Sequence, residues 1–172
     1  MSRFDDLKND CINLQKEVTK RKNDLCGKII NNDIKLFMKE FPERMIEDND
    51  GKFIYDDCLI IREVEGFLDI IDERGTAFGW YFDVEIDELI TSDLFKYQGE
   101  LYLVSDLKET NILDWEEEIF KVINKFKRSL EIINNFDLNK KEYRYYSCHE
   151  DILCKDFSEV LKVVLEREPI VI

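Results

Sequence analysis

Three carboxylates, Asp83, Glu85 and Asp87, recur at every second position of the run 81–87. In an extended strand alternate side chains share a face, so the three stand in a row, neighbours about 6.6 Å apart. Phe82, Val84 and Ile86 then occupy the opposite face. Glu63, Glu65 and Asp69 alternate similarly on a neighbouring candidate strand. Paired strands of this kind would present an acidic face over an apolar one. Like charges on adjacent strands repel unless something cationic answers them. The face is therefore either the solvated side of a half-buried sheet or a surface for a basic partner. In the second case Trp80 and Tyr81 supply the aromatic anchors that interfaces favour.

The same acids carry a catalytic alternative. Carboxylate clusters hold Mg²⁺ or Mn²⁺, and two-metal phosphodiester hydrolysis needs such clusters. The Glu-x-Lys that nucleases of the restriction-enzyme type set beside an acidic strand is not matched, since Glu100-Leu101-Tyr102 has no lysine. The run 46–57 imitates a calcium loop around Gly51, with Asp48 and Asp50 at its third and fifth positions. Ile46 offers no oxygen at its first position, however, and Asp57 replaces the bidentate Glu at its last, so a turn is expected.

Cys148, His149 and Cys154 form the one Cys/His cluster, with no Cys-x2-Cys spacing and no fourth ligand nearby for zinc. Buried thiols are the expectation. Neither a Gly-x-Ser-x-Gly elbow nor a glycine-rich phosphate loop occurs. No cofactor is therefore expected. Tyr143-Arg144-Tyr145-Tyr146 could stack bases, but its surroundings are too acidic for direct nucleic-acid binding, which rests on basic charge.

Charge is segregated along the chain. Residues 31–114 hold eight Lys/Arg against twenty-two Asp/Glu, which equals the whole net charge of −14. Residues 1–30 and 115–172 nearly balance, at +2 and −2. A hydrophobic content of 44% with twelve Phe excludes disorder in 172 residues. A single α+β domain is expected, with few breakers (two Pro, six Gly). No targeting segment and no membrane span are read. Five cysteines at irregular spacing fit a reducing cytoplasm better than a disulfide framework. The abundance of Ile, Lys and Asn, all with A/T-rich codons, points to a low-GC bacterium or its phage.

The elements that must position these residues follow from periodicity. Phe4, Leu7, Cys11, Leu14, Val18 and Leu25 fall at spacings of three, four and seven, the stripe of an amphipathic helix over residues 1–27. Gly27 is its expected left-handed cap. The stripe packs on its own domain or makes a homodimer. A second helix is expected after Asn32 or Asp33, through Ile34, Phe37 and Phe41 to Pro42. Strands are read over residues 52–55, 59–64, 67–71, 77–86, 94–97, 100–104 and 141–146. Gln98-Gly99 is a two-residue hairpin turn. An amphipathic helix runs from an Asp114 N-cap to Asn134, with an i,i+4 pair between Glu117 and Lys121. Ser147 and Glu150 have capping-box spacing, and a last helix carries Val160, Leu161, Val164 and Leu165. The tail Ile170-Val171-Ile172 is expected to dock on apolar surface.

These readings combine into an antiparallel sheet of four to six strands, covered on one face by the N-terminal and Asp114–Asn134 helices. The functional expectation is a non-enzymatic intracellular inhibitor or immunity-type antagonist. It would occlude a basic, nucleic-acid-processing protein through Glu63, Glu65, Asp69, Trp80, Tyr81, Asp83, Glu85 and Asp87. The alternatives are a metal-dependent hydrolase on the same acids, or an assembly subunit dimerising through the N-terminal helix.

Overall fold

The computed structural model describes residues 2–84, 94–109, 113–137, 143–148 and 151–166. The elements are α1 (Arg3–Glu40), β1 (Met45–Glu47), β2 (Phe53–Tyr55), β3 (Leu59–Val64), β4 (Phe67–Ile71), β5 (Ala77–Val84), β6 (Leu94–Tyr97), β7 (Glu100–Leu103), α2 (Trp115–Asn134), β8 (Tyr143–Ser147), β9 (Leu153–Cys154) and α3 (Phe157–Glu166). The fold is α+β. Seven strands form one antiparallel sheet in the order β1-β2-β3-β4-β5-β8-β9, and β6 and β7 make a separate hairpin. The residues group into two compact units. The first is 1–22 with 86–137, and the second is 23–85 with 138–172.

The second unit holds the seven-stranded sheet, the latter part of α1, and α3. Its hairpins are written in short-range chemistry. Asp48 and Asp72 open two equivalent turns. Asp48 Oδ1 accepts the N–H of Asp50 and of Lys52, and Asp72 Oδ1 accepts those of Arg74 and Thr76, all at 2.9 Å. This is the Asx-turn chemistry that makes aspartate a turn former, and it accounts for the segment that imitates a calcium loop. Glu65-Gly66 is a two-residue turn with positive φ at both positions, 50° and 85°, joining Val64 to its cross-strand partner Phe67. Such turns match the right-handed strand twist.

Alternation along the strands separates two faces. Phe53, Tyr55, Leu59, Ile61, Leu68, Ile70, Trp80 and Tyr145 are buried on the inner one. The second half of α1 lies against it. Gly66 approaches the helix so closely that a Cβ there would stand 2.9 Å from the Asn23 carbonyl oxygen. Phe37 meets Tyr55 and Phe157 with ring centroids 5.6 and 5.4 Å apart, which joins α1, the sheet and α3.

The helix expected over residues 1–27 does not stop at Gly27. It runs on through Asn31, Asn32 and Asp33 to Glu40, absorbing the expected second helix. Cys26, Ile30, Ile34 and Phe37 recur at three- and four-residue spacing and are all buried. A glycine within a helix costs about 1 kcal/mol relative to alanine. Burying each of these large side chains contributes roughly 1.5–3 kcal/mol, so burial decides. Glycine has its own reason here, because a Cβ at Gly27 would lie 2.5 Å from Glu63 Oε1.

The start of α3 also differs from expectation. Ser147 ends β8, and Glu150 lies outside the described residues. The cap is Asp156, whose Oδ1 accepts the Glu159 N–H at 2.9 Å, while Glu159 Oε2 accepts the Lys155 N–H at 2.7 Å. The tail Ile170-Val171-Ile172 lies outside the described residues as well.

In the first unit α2 runs parallel to the first half of α1. Phe4 sits edge-on to Trp115, centroids 5.1 Å apart at 87°, and Arg3 pairs with Glu116. At the far end Arg21 Nη1 donates to Asn134 Oδ1 at 2.8 Å. Lys8 Nζ donates to the Leu107 carbonyl oxygen at 2.8 Å. Phe4, Cys11 and Val18 are buried, so the core of the N-terminal stripe closes on its own chain; Leu7, Leu14 and Leu25 are half-buried. Asp114 is the residue before α2 but makes no side-chain cap bond. Lys121 pairs with Glu117 at 3.8 Å and with Glu118 at 3.2 Å. The hairpin turn at Gln98-Gly99 forms as expected, with Tyr97 opposite Glu100. No helix among the described residues is long and apolar enough to cross a membrane.

Candidate functional site

Among the described residues the outer face of the second unit's sheet carries no helix of that unit, and it is built by register. Ile46, Ile54, Ile60, Ile71 and Ala77 are successive cross-strand partners from β1 to β5. They form one apolar row across five strands. Val64, Phe67, Tyr81, Tyr146 and Leu153 form a second, from β3 to β9. At about 4.8 Å per strand each row is roughly 19 Å long. Ile46, Ile60, Val64, Phe67, Tyr81 and Leu153 are between 38% and 54% exposed. Contiguous exposed apolar surface of this kind marks interaction sites. Tyr81 and Tyr146 stack with centroids 5.3 Å apart at 15°.

Between the rows lie Arg62, Asp69 and Gly79, again as cross-strand partners. Arg62 Nε donates to Asp69 Oδ2 at 3.0 Å, and Nη2 stands 3.0 Å from the same oxygen. The middle of the face is therefore neutral. Gly79 leaves room for Cys148, whose Sγ would be 3.2 Å from a Cβ placed there. Burial first, and then Asp69, push the Cys148 thiol above its ordinary range.

The face is rimmed by acids at the strand ends. Asp50, Asp57, Glu65 and Glu73 are exposed in the hairpin turns and make no ion pair among the described residues. Asp56 is answered by Arg44 at 2.8 Å.

The shared acidic face expected of Glu63, Glu65 and Asp69 is not formed. Glu63 and Asp69 lie on opposite faces. Because the Glu65-Gly66 turn pairs Val64 with Phe67, Glu63 falls opposite Leu68 and Asp69 opposite Arg62. Glu63 points to α1, accepting from Asn31 Nδ2 at 3.4 Å and from the Gly66 N–H at 3.2 Å. Glu65 is in the turn itself. Trp80 is buried on the inner face rather than offered as an anchor, and its indole N–H has no acceptor among the described residues. Tyr81 is on the outer face. The backbone of Asp83 pairs opposite Arg144, and Glu85 and Asp87 lie outside the described residues. Cys148 is exposed, whereas Cys154 is buried beside its cross-strand partner Tyr145; His149 lies outside the described residues. Among the described residues no group of three His, Cys, Asp or Glu could hold a metal ion.

Comparison with protein-family models, curated proteins and solved structures finds no match.

One part-buried polar pair escaped the sequence reading. Tyr145 is buried, and its hydroxyl donates to Asp33 Oδ2 at 2.7 Å. Burial raises the Asp33 carboxyl; the Tyr145 bond lowers it, and nearby Asp156 raises it again. Burial and Asp33 together push the Tyr145 hydroxyl strongly upward. The two residues are 112 positions apart, and no local pattern announces the pair. Asp156 is held by its capping bond and Asp33 by Tyr145, so both carboxylates have structural work.

Proposed function

We propose that this chain is a non-enzymatic binding protein that occludes the working surface of a basic protein, as an inhibitor, immunity protein or antagonist does. The observation that carries the reading is charge. The net −14 falls within residues 31–114, and Asp50, Asp57, Glu65 and Glu73 in that stretch stand exposed with no ion pair among the described residues. Nucleic-acid-processing proteins present basic grooves to a polyanion. An acidic protein answers the same groove, and long-range attraction speeds the encounter.

The test is recovery of the partner from the native cell by an untagged pull-down and mass spectrometry. Its association rate is then measured at low and high salt. A basic partner whose association slows at least about tenfold between roughly 0.05 and 0.5 M salt supports the reading, since added ions screen the steering. A neutral or acidic partner, or a rate indifferent to salt, overturns it.

A further inference from the structure

We infer that the outer face of the second unit's sheet is where that basic partner docks, with the apolar rows making the contact and the acidic turns selecting the charge of its border. The inference rests on the binding reading above and adds the surface and the chemistry of its occupant. Three observations meet there. The rows Ile60–Ile71 and Val64–Phe67–Tyr81 put large apolar side chains in register on a face over which, among the described residues, no helix of the unit lies. The ion pair at the centre of the face, Arg62 with Asp69, is closed on itself, each charge answering the other. The turns that end these strands expose Asp50, Asp57, Glu65 and Glu73, whose carboxylates make no ion pair among the described residues.

The choice of occupant follows from the last point. Two copies of this chain meeting face to face would set acidic borders against each other, and each copy carries −14. Like-charge juxtaposition suppresses a wrong partner. A surface with an apolar centre and a Lys/Arg margin meets the face without that penalty. Contact is confined to the apolar rows because water is excluded there, and the charged rim acts on encounter.

The probe is a synthetic alternating Leu-Lys peptide of about eight residues, long enough at roughly 3.3 Å per residue to cover one row. An alternating Leu-Glu peptide of equal length is the comparison. Each is titrated into the full chain by calorimetry at low and high salt. The parent is compared with the double variant Ile60→Ser/Phe67→Ser and with Leu101→Ser, a change on the exposed hairpin of the first unit. Both serine changes are at exposed positions, and circular dichroism verifies that the variants are folded. A second double variant, Tyr81→Ser/Leu153→Ser, repeats the test on the other strands.

The expected result is saturable binding of the Leu-Lys peptide that weakens with salt, falls at least about tenfold in both double variants, and is unchanged in Leu101→Ser. Equal binding of the Leu-Glu peptide overturns the basic-partner reading itself. Leu-Lys binding that keeps its salt dependence and ignores both double variants overturns the face and leaves that reading standing. No saturable binding of either peptide overturns the face as a docking surface. A dimer in sedimentation velocity that the double variants dissociate assigns the face to a second copy and overturns the proposal.

Discussion

Tyr145 on β8 and Asp33 on α1 are joined by a 2.7 Å hydrogen bond that fastens the helix to the inner face of the sheet. The donor is buried and the acceptor half-buried, so each is the other's replacement for water. An unmatched buried polar group costs about 1–3 kcal/mol.

Tyr145→Phe should therefore destabilise the protein by about 1–3 kcal/mol at neutral pH, read from urea unfolding. The Asp33 carboxyl is raised, chiefly by burial. A raised carboxyl stabilises the fold fully below its unfolded value, and that contribution is lost as pH climbs through the folded one. Tyr145→Phe removes the bond that holds the carboxylate form, so its cost should grow from acid to neutral pH. Asp33→Asn, which cannot ionise, should abolish that growth. A cost independent of pH in both backgrounds would refute the account.

Two glycines are predicted to behave oppositely on substitution. Gly66→Ala should cost at least about 2 kcal/mol, because φ is +85° and the new Cβ meets the Asn23 backbone. At Gly27 the obstacle is the movable end of Glu63. Gly27→Ala alone should nearly balance helix propensity against the lost Glu63 bonds. In a Glu63→Ala background it should stabilise by about 1 kcal/mol. Denaturant midpoints of the four proteins in that cycle measure the coupling directly.

Phe4→Ala should destabilise the first unit by about 3 kcal/mol, as for other buried aromatics, since Phe4 is buried edge-on to Trp115. The contact is within one chain, so the loss should not vary with protein concentration. Melting curves over a hundredfold dilution series test this. A concentration-dependent loss would instead signal that the stripe joins two copies.

Reversing the turn acids, as Asp50→Lys/Glu65→Lys/Glu73→Lys, should leave stability within about 0.5 kcal/mol, because all three are exposed and make no ion pair among the described residues. Association with a basic partner should slow, and its salt dependence should flatten. Stopped-flow rates at several ionic strengths give both readings.

Much of the fold was legible from local pattern. The bounds of β3, β4 and β6 agree with alternation and turn residues, and α2 follows its apolar stripe. These succeed because strand period, helix period and turn chemistry act over a few residues. The cap of α3 was equally local: Asp156 and Glu159 have the capping spacing, but Ser147 and Glu150 share it. The sheet face could also have been read further, since Glu65-Gly66 is a two-residue turn that puts Glu63 and Asp69 on opposite sides.

By itself, then, the chain's order of residues determined the α+β class, most hairpins and the segregation of charge, all properties of neighbours. Tertiary structure alone decided three things. It carried α1 through Gly27, because the burial of Cys26, Ile30, Ile34 and Phe37 outweighs a glycine. It matched Asp33 with Tyr145 across 112 residues. It also aligned Ile60 with Ile71, and Phe67 with Tyr81, as rows on one exposed face. Each depends on which distant segments share a surface, and that is set by the free energy of burial summed over the whole unit rather than by any local spacing.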